Sequence, residues 1–237
     1  MPYSTRRYAA SIIRSWLLRF LDTKETLRMQ PLPIPDEEHR MRFLEKVAKG
    51  NTGTYGVIDQ RVVDFLSVVL HPGTSGVFRG LGSSVNETNL AAAKFGDVEY
   101  MDVEKRVIFA YEAHGGLLSD AYVDDHIATL KRTIIRRADD LEAIEEAGKW
   151  EITVMFIDHG NQPLENHHDR EQFDLGEGFR VTMRYMTYEE VYKLLGGPAQ
   201  LAKEESSFNR YVHGELDSDI ARPFIRKAYR SMIENGQ

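Results

Sequence analysis

Residues 96–116 read GDVEYMDVEKRVIFAYEAHGG, with Asp97 and Glu99 on one strand-like run and Glu112 and His114 on the next. Carboxylates are the hard oxygen donors that Mg²⁺ takes, usually one or two together with waters and a substrate phosphate. Glu112 follows VIFAY, which has every mark of a buried strand, and a carboxylate placed there without a partner is costly to desolvate. A divalent cation shared with Asp97, fifteen positions earlier, would offset that cost. Alternatively Asp97 occupies a helix-to-strand turn and Glu112 an exposed strand end, ion-paired with Arg106 or Lys94.

These residues need a hairpin to bring them together. Gly96–Met101 and Arg106–Ala113 are predicted strands joined by DVEK, short enough for an antiparallel pair. Side chains alternate along a strand, which puts Asp97 with Glu99 on one face and Ile108, Ala110, Glu112 and His114 together on the other strand. Upstream, Ser84 with Glu87 three residues on has capping-box spacing and opens an alanine-rich helix that ends near Lys94. Downstream, Val123, Ile127, Leu130 and Ile134 fall on one face of a long helix. KWEITVMFIDHG is a near-continuous apolar run, expected of a central strand covered on both faces. A polar loop, NQPLENHHDREQFDLGEG, leads to the strand FRVTMRYM, and Thr187 with Glu190 opens the next helix.

Before this core, Ile12, Ile13, Trp16, Leu17, Phe20 and Leu21 recur at helical spacing with Arg14 and Arg19 among the polar positions. QPLPIPDEE is a stiff connector, and Asp36 caps a second helix through Met41, Phe43, Leu44 and Val47. VIDQRVVDFLSVVLHPG is a third helix, and GTSGVFRGLG a loop with four glycines. The expected fold is α/β, a central mixed β-sheet flanked by helices with an N-terminal helical region. The expected parts are a helical region over 1–75, the α/β core over 76–197 and a helical segment over 198–237.

The chain has 237 residues, 42% of them hydrophobic, which suffices for a sizeable core. Its net charge of −7 repels nucleic acid as a whole, so any such surface must be a local basic patch. Residues 1–49 provide one candidate, with ten Lys or Arg against six Asp or Glu. Cysteine is absent, which excludes disulfides and thiolate metal sites and makes a cytoplasmic location the default. The arginine-interrupted opening is too short and too charged to span a membrane, and no membrane partner is expected; its acid-free, Arg-rich start also has the composition of a transit peptide.

The order of these elements and acids resembles the PD-(D/E)XK nuclease superfamily over residues 84–195: a helix with an acid, a strand beginning Gly-Asp, a hairpin, a strand ending Glu-x-x, then a helix and further strands. The resemblance implies that Asp97 and Glu112 bind Mg²⁺, with Mn²⁺ as a substitute, and that Glu87 falls where members carry a further acidic ligand. It departs from the pattern at His114, which stands where the superfamily has a lysine that positions the attacking water. Three explanations are open: His114 serves that role, a lysine elsewhere such as Lys94 or Lys131 reaches the site, or the site is inactive. Arg79, Lys94, Lys131, Arg132 and Arg136 are the candidate contacts to DNA, with Arg137 beside them; their alternative is a solvated helix face paired with the acids of 139–146.

The implied function is a metal-dependent endonuclease of type II restriction type, acting on double-stranded DNA as a homodimer. A catalytically inactive nuclease-fold domain that only binds nucleic acid is the alternative. A third is an unrelated metal hydrolase built on His159, His167 and His168, whose spacing matches no common zinc pattern. Neither a P-loop lysine motif nor Gly-x-Ser-x-Gly is present.

Overall fold

The computed structural model describes residues 3–26, 31–50, 52–73, 76–83, 88–160, 164–218 and 221–234; of these, the side chains of 3, 4, 6, 7 and 19–26 are outside the description. The chain divides into two compact units, Met1–Pro33 and Ile34–Gln237. Among its described residues the first holds one helix, α1 (Tyr3–Thr26). Among the described residues no helix is long and apolar enough to cross a membrane.

The second unit is α/β, with a six-stranded mixed sheet ordered β1-β2-β3-β4-β6-β5. It opens with α2 (Glu37–Lys49), where Asp36 caps the His39 amide as its position before a Glu-rich first turn suggests, and α3 (Val57–Leu70) follows. β1 (Val77–Arg79), β2 (Val98–Asp102) and β3 (Val107–Ala113) form an antiparallel meander. Asp102 shapes its second turn by accepting the Lys105 amide at 3.1 Å and the Lys105 ammonium at 2.7 Å. Helix α5 (Asp120–Glu142) then returns the chain so that β4 (Glu151–Asp158) runs parallel to β3. β5 (Gln172–Gly176) and β6 (Phe179–Thr187) are an antiparallel hairpin, with β6 parallel to β4.

Between β1 and β2 lies α4 (Asn89–Ala92), much shorter than the helix expected over 84–94. Ala93 turns left-handed there, and Lys94 and Phe95 dive into the interior. The run Ser84–Glu87, including the expected cap and Glu87, lies outside the described residues. Two strands fell inside segments expected to be loops: β1 within GTSGVFRGLG and β5 within the polar stretch before FRVTMRYM. A three-residue strand is too short to display a period, and β5 carries Asp and Gly that read locally as turn.

The sheet has helices on both faces. On one, the expected stripe of α5, Val123, Ile127, Leu130 and Ile134, is buried against Ile108, Ala110, Ile152, Val154, Phe156 and Val181. On the other, α3 packs on β2 and β3. His71, which ends α3, fixes that contact by stacking on Tyr100 at 3.9 Å and bonding the Tyr111 hydroxyl at 2.6 Å. The tail continues as α6 (Tyr188–Leu194), α7 (Pro198–Leu201), α8 (Glu205–Phe208), a π-helical turn (Asn209–His213), α9 (Gly214–Leu216) and α10 (Pro223–Glu234). Phe208 and Tyr229 meet Phe43 of α2 edge to face at 5.6 and 5.4 Å. Each such fully buried ring contributes about 1.5–3 kcal/mol through removal of apolar surface from water.

A candidate carboxylate centre

The alternation along β3 sends Ile108, Ala110 and Glu112 toward α5, as expected, and Glu112 is only 5% exposed. Its Oε1 accepts the Tyr122 hydroxyl at 2.8 Å and its Oε2 the Asn89 amide at 3.0 Å. His126, buried one helical turn beyond Tyr122, sets Nε2 3.0 Å from the Phe95 carbonyl, which assigns the proton to that nitrogen. Its Nδ1 then faces Glu112 Oε1 at 3.6 Å. Burial pushes the Glu112 carboxyl up and the His126 imidazole down, each toward its neutral form.

Asp97 does not share a strand face with Glu99, because it precedes β2. Its Oδ2 accepts the Ala113 amide at 3.0 Å, which ties it to the strand that carries Glu112. Gly96 makes that approach feasible: a Cβ there would sit 2.8 Å from the Tyr111 carbonyl oxygen. Burial, then the nearby Glu112 charge, raises the Asp97 carboxyl to about 7. Two carboxyls so placed titrate as a pair, since neither ionises without raising the cost of the other.

Lys94 was a candidate surface contact to DNA, yet it is 2% exposed. Its Nζ donates to the Asp97 carbonyl at 3.1 Å, and its charge favours ionisation of both Asp97 and Glu112. The loop after β1 crosses this point at Gly80, where φ is +91° and a Cβ would fall 2.3 Å from the same carbonyl oxygen. Gly82, two residues on, donates its amide to Asp64 Oδ2 at 3.3 Å.

Asp64 of α3 was not singled out in the sequence. It is fully buried, is paired with Arg61 at 2.9 Å, and keeps Oδ1 without a hydrogen-bond partner. Burial raises it to about 7, and Asp97 and Glu215 push the same way. The detectable signal was a charged residue inside the apolar sequence VVDFL of a helix whose remaining positions read as core. Tyr122, His126 and Asn89 were likewise missed; of these, His126 lies three residues after Val123, on the buried stripe of α5.

The other candidates fall elsewhere. His114 turns its Nε2 to the Leu117 carbonyl at 3.1 Å and its ring to Tyr122 at 4.5 Å, with no hydrogen bond to Asp97 or Glu112. Arg79, Lys131, Arg132 and Arg136 are exposed, with Arg79 reaching the Ala93 carbonyl at 3.3 Å and Arg136 the Leu90 carbonyl at 2.8 Å. Arg132 borders a hollow of about 430 Å³ whose inner wall is Asn89, Tyr122 and His126, the three residues around Glu112. Arg137 is not beside them on the surface; it is buried against Glu99, with Nη1 2.6 Å from Oε2. The three loop histidines separate. His159 meets Asp59 at 2.5 Å, His167 meets Asp124 at 3.1 Å, and His168 is exposed. Among the described residues no three His, Asp or Glu side chains already form a metal-ligating group.

No protein-family model matches the sequence, and no curated protein or solved structure is significantly similar to it.

Proposed function

We propose that the chain is a metal-dependent DNA endonuclease of the PD-(D/E)XK type, working at Asp97 and Glu112. The observation that carries this is Lys94, a buried ammonium whose charge favours ionisation of two carboxyls with raised pKa values, the buried Glu112 and the half-buried Asp97. Of the open explanations for the missing motif lysine, Lys94 has the better geometry than His114, which is engaged with Leu117 and Tyr122. Further support comes from element order: α3, β1, β2, β3, α5 and β4 follow an αβββαβ frame interrupted by the one-turn α4 between β1 and β2, with strands β1 to β4 adjacent in the sheet.

The donor set suits Mg²⁺ or Mn²⁺, being all hard oxygen, and Asp64 Oδ1 is a buried oxygen still lacking a partner. Asp97 and Glu112 would hold the ion, with Asp64 as a further acid. When bound, such an ion lowers the pKa of a coordinated water and neutralises charge on a scissile phosphate. The chain itself excludes water around Glu112, orients that carboxylate through Tyr122 and Asn89, and places the Lys94 charge where phosphate charge would build. Arg79, Lys131, Arg132 and Arg136 follow the DNA backbone, and two copies cut the two strands of a duplex. The protein acts in the cytoplasm in this reading.

A non-cleaving nucleic-acid-binding domain is the second reading, favoured by the closure of Asn89 and Tyr122 over Glu112. Incubation of pure protein with plasmid DNA and Mg²⁺ or Mn²⁺ separates the two. Cleavage should fall about 10³-fold or more, some 4 kcal/mol of barrier, in Asp97→Ala, Glu112→Ala and Lys94→Met, with His114→Ala far milder. DNA binding with no cleavage under either ion selects the second reading.

A further inference from the structure

We propose that α1 is an interfacial helix that lies along an anionic membrane surface. Its apolar side chains are turned to solvent: Trp16 is 74% exposed, Ile13 61%, Leu17 57% and Ile12 43%. At 100° per residue these four share an arc of about 140°, and Arg14 lies about 160° around the helix from Trp16. This arrangement, with apolar groups concentrated on one arc, Arg14 opposite, Arg19 at the edge of that arc and the exposed Leu18 as the exception beside Arg14, is close to the pattern of helices that rest at the boundary of lipid headgroups and acyl chains. Tryptophan is well suited to that boundary, since its ring is apolar and its N–H needs a polar partner.

Charge selects the occupant. The first 21 residues contain Arg6, Arg7, Arg14 and Arg19 and no Asp or Glu, in a chain whose net charge is −7. Subtracting those four charges leaves −11 on the remaining residues. An anionic surface therefore attracts this segment and repels the rest. A second copy of the helix is a poor occupant, because each copy brings five Lys or Arg against only Asp22 and Glu25, and two such net-positive segments repel when packed side by side. The expectation of no membrane partner rested on the lack of a span. An interfacial helix needs none.

The molecule carries its own probe. It has two tryptophans, and Trp150 is 5% exposed within the sheet core, so a change of emission reports on Trp16. The full-length protein is mixed with phosphatidylcholine vesicles, with and without phosphatidylglycerol, and followed by co-sedimentation and by tryptophan emission. Expected are binding and a blue shift with phosphatidylglycerol vesicles, little with phosphatidylcholine alone, and weakening as salt is raised. Each arginine near such a surface changes affinity about fivefold, so Arg14→Glu, which removes one positive charge and adds a negative one, should weaken binding about 25-fold. Arg14→Lys should retain it, and Trp16→Ser should bind more weakly with the far-UV spectrum unchanged. The proposal is overturned by absence of binding, by equal binding to both vesicle types, by an Arg14→Glu variant that binds like wild type, or by a Trp16 emission already blue in buffer together with self-association in sedimentation equilibrium.

Discussion

Asp97 and Glu99 stand two residues apart, both next to the core, and their surroundings differ in one respect. Glu99 is 1% exposed and receives Arg137 at 2.6 Å and the Phe95 amide at 3.2 Å, while the same guanidinium lies 4.5 Å over the Phe95 ring. That pair is electrically neutral, and Oε2 of Glu99 accepts both hydrogen bonds. Around Asp97 and Asp64, four acids (Asp64, Asp97, Glu112, Glu215) face two cations (Lys94, Arg61), and the carboxyls of Asp64 and Asp97 rise to about 7. Where the chain brings its own matching charge, burial fixes a helix to a strand; where it brings less, the carboxyls hold their protons to higher pH.

The sharpest way to break this contrast is Arg137→Met. It strands Glu99 as an uncompensated buried charge, and urea unfolding at pH 7 should show a loss of about 3–5 kcal/mol. A loss under about 1 kcal/mol would mean that the pair is no firmer than a surface contact.

The second test is pH. The folded carboxyls of Asp64 and Asp97 bind protons that the unfolded chain, with acids near 3.8, has already released. The stability these two carboxyls contribute is therefore fully present below about pH 4, is lost as pH rises from about 4 to 7, and levels off above it, a change of a few kcal/mol in all. Mg²⁺ should restore part of that stability above pH 7, because ionised carboxylates are the form it binds. A profile that rises with pH over the same window would reverse the assignment.

Asp97→Asn comes next. Removing a charge from the under-compensated cluster should stabilise the protein by about 1–2 kcal/mol at pH 8, opposite in sign to Arg137→Met, while flattening the pH profile. The smallest effect is expected of Tyr122→Phe, which deletes one hydrogen bond to Glu112 for about 1 kcal/mol in thermal unfolding. A larger, measurable loss of Mg²⁺ affinity should accompany it in calorimetry if the hydroxyl orients that carboxylate.

Much of the frame was legible because period and caps are local signals. The α5 stripe, the inward turn of Glu112 and the Thr187–Glu190 capping box all follow from spacing of a few residues. Arg137 shows where such reasoning stopped early. It lies three residues after Ile134, on the continuation of the stripe, but its charge suggested solvent; the partner that brings it inside is 38 residues away. Asp64 was hidden for the same reason, and Lys94, named as a candidate, did not reveal its burial, since a buried charge is intelligible only when its neighbours from other elements are known. Strand alternation failed at Asp97 because the strand begins one residue later, at Val98.

The sheet's two borders carry a consequence for how copies of this protein can meet. β1 is three residues long, and β5 departs from regular pairing between Asp174 and Gly176. A short rim on one side and a bulged one on the other leave few aligned N–H and C=O groups for an incoming strand. Strand-by-strand accretion into a continuous sheet is disfavoured at both rims, which leaves helices and loops as the better surfaces for copies to meet.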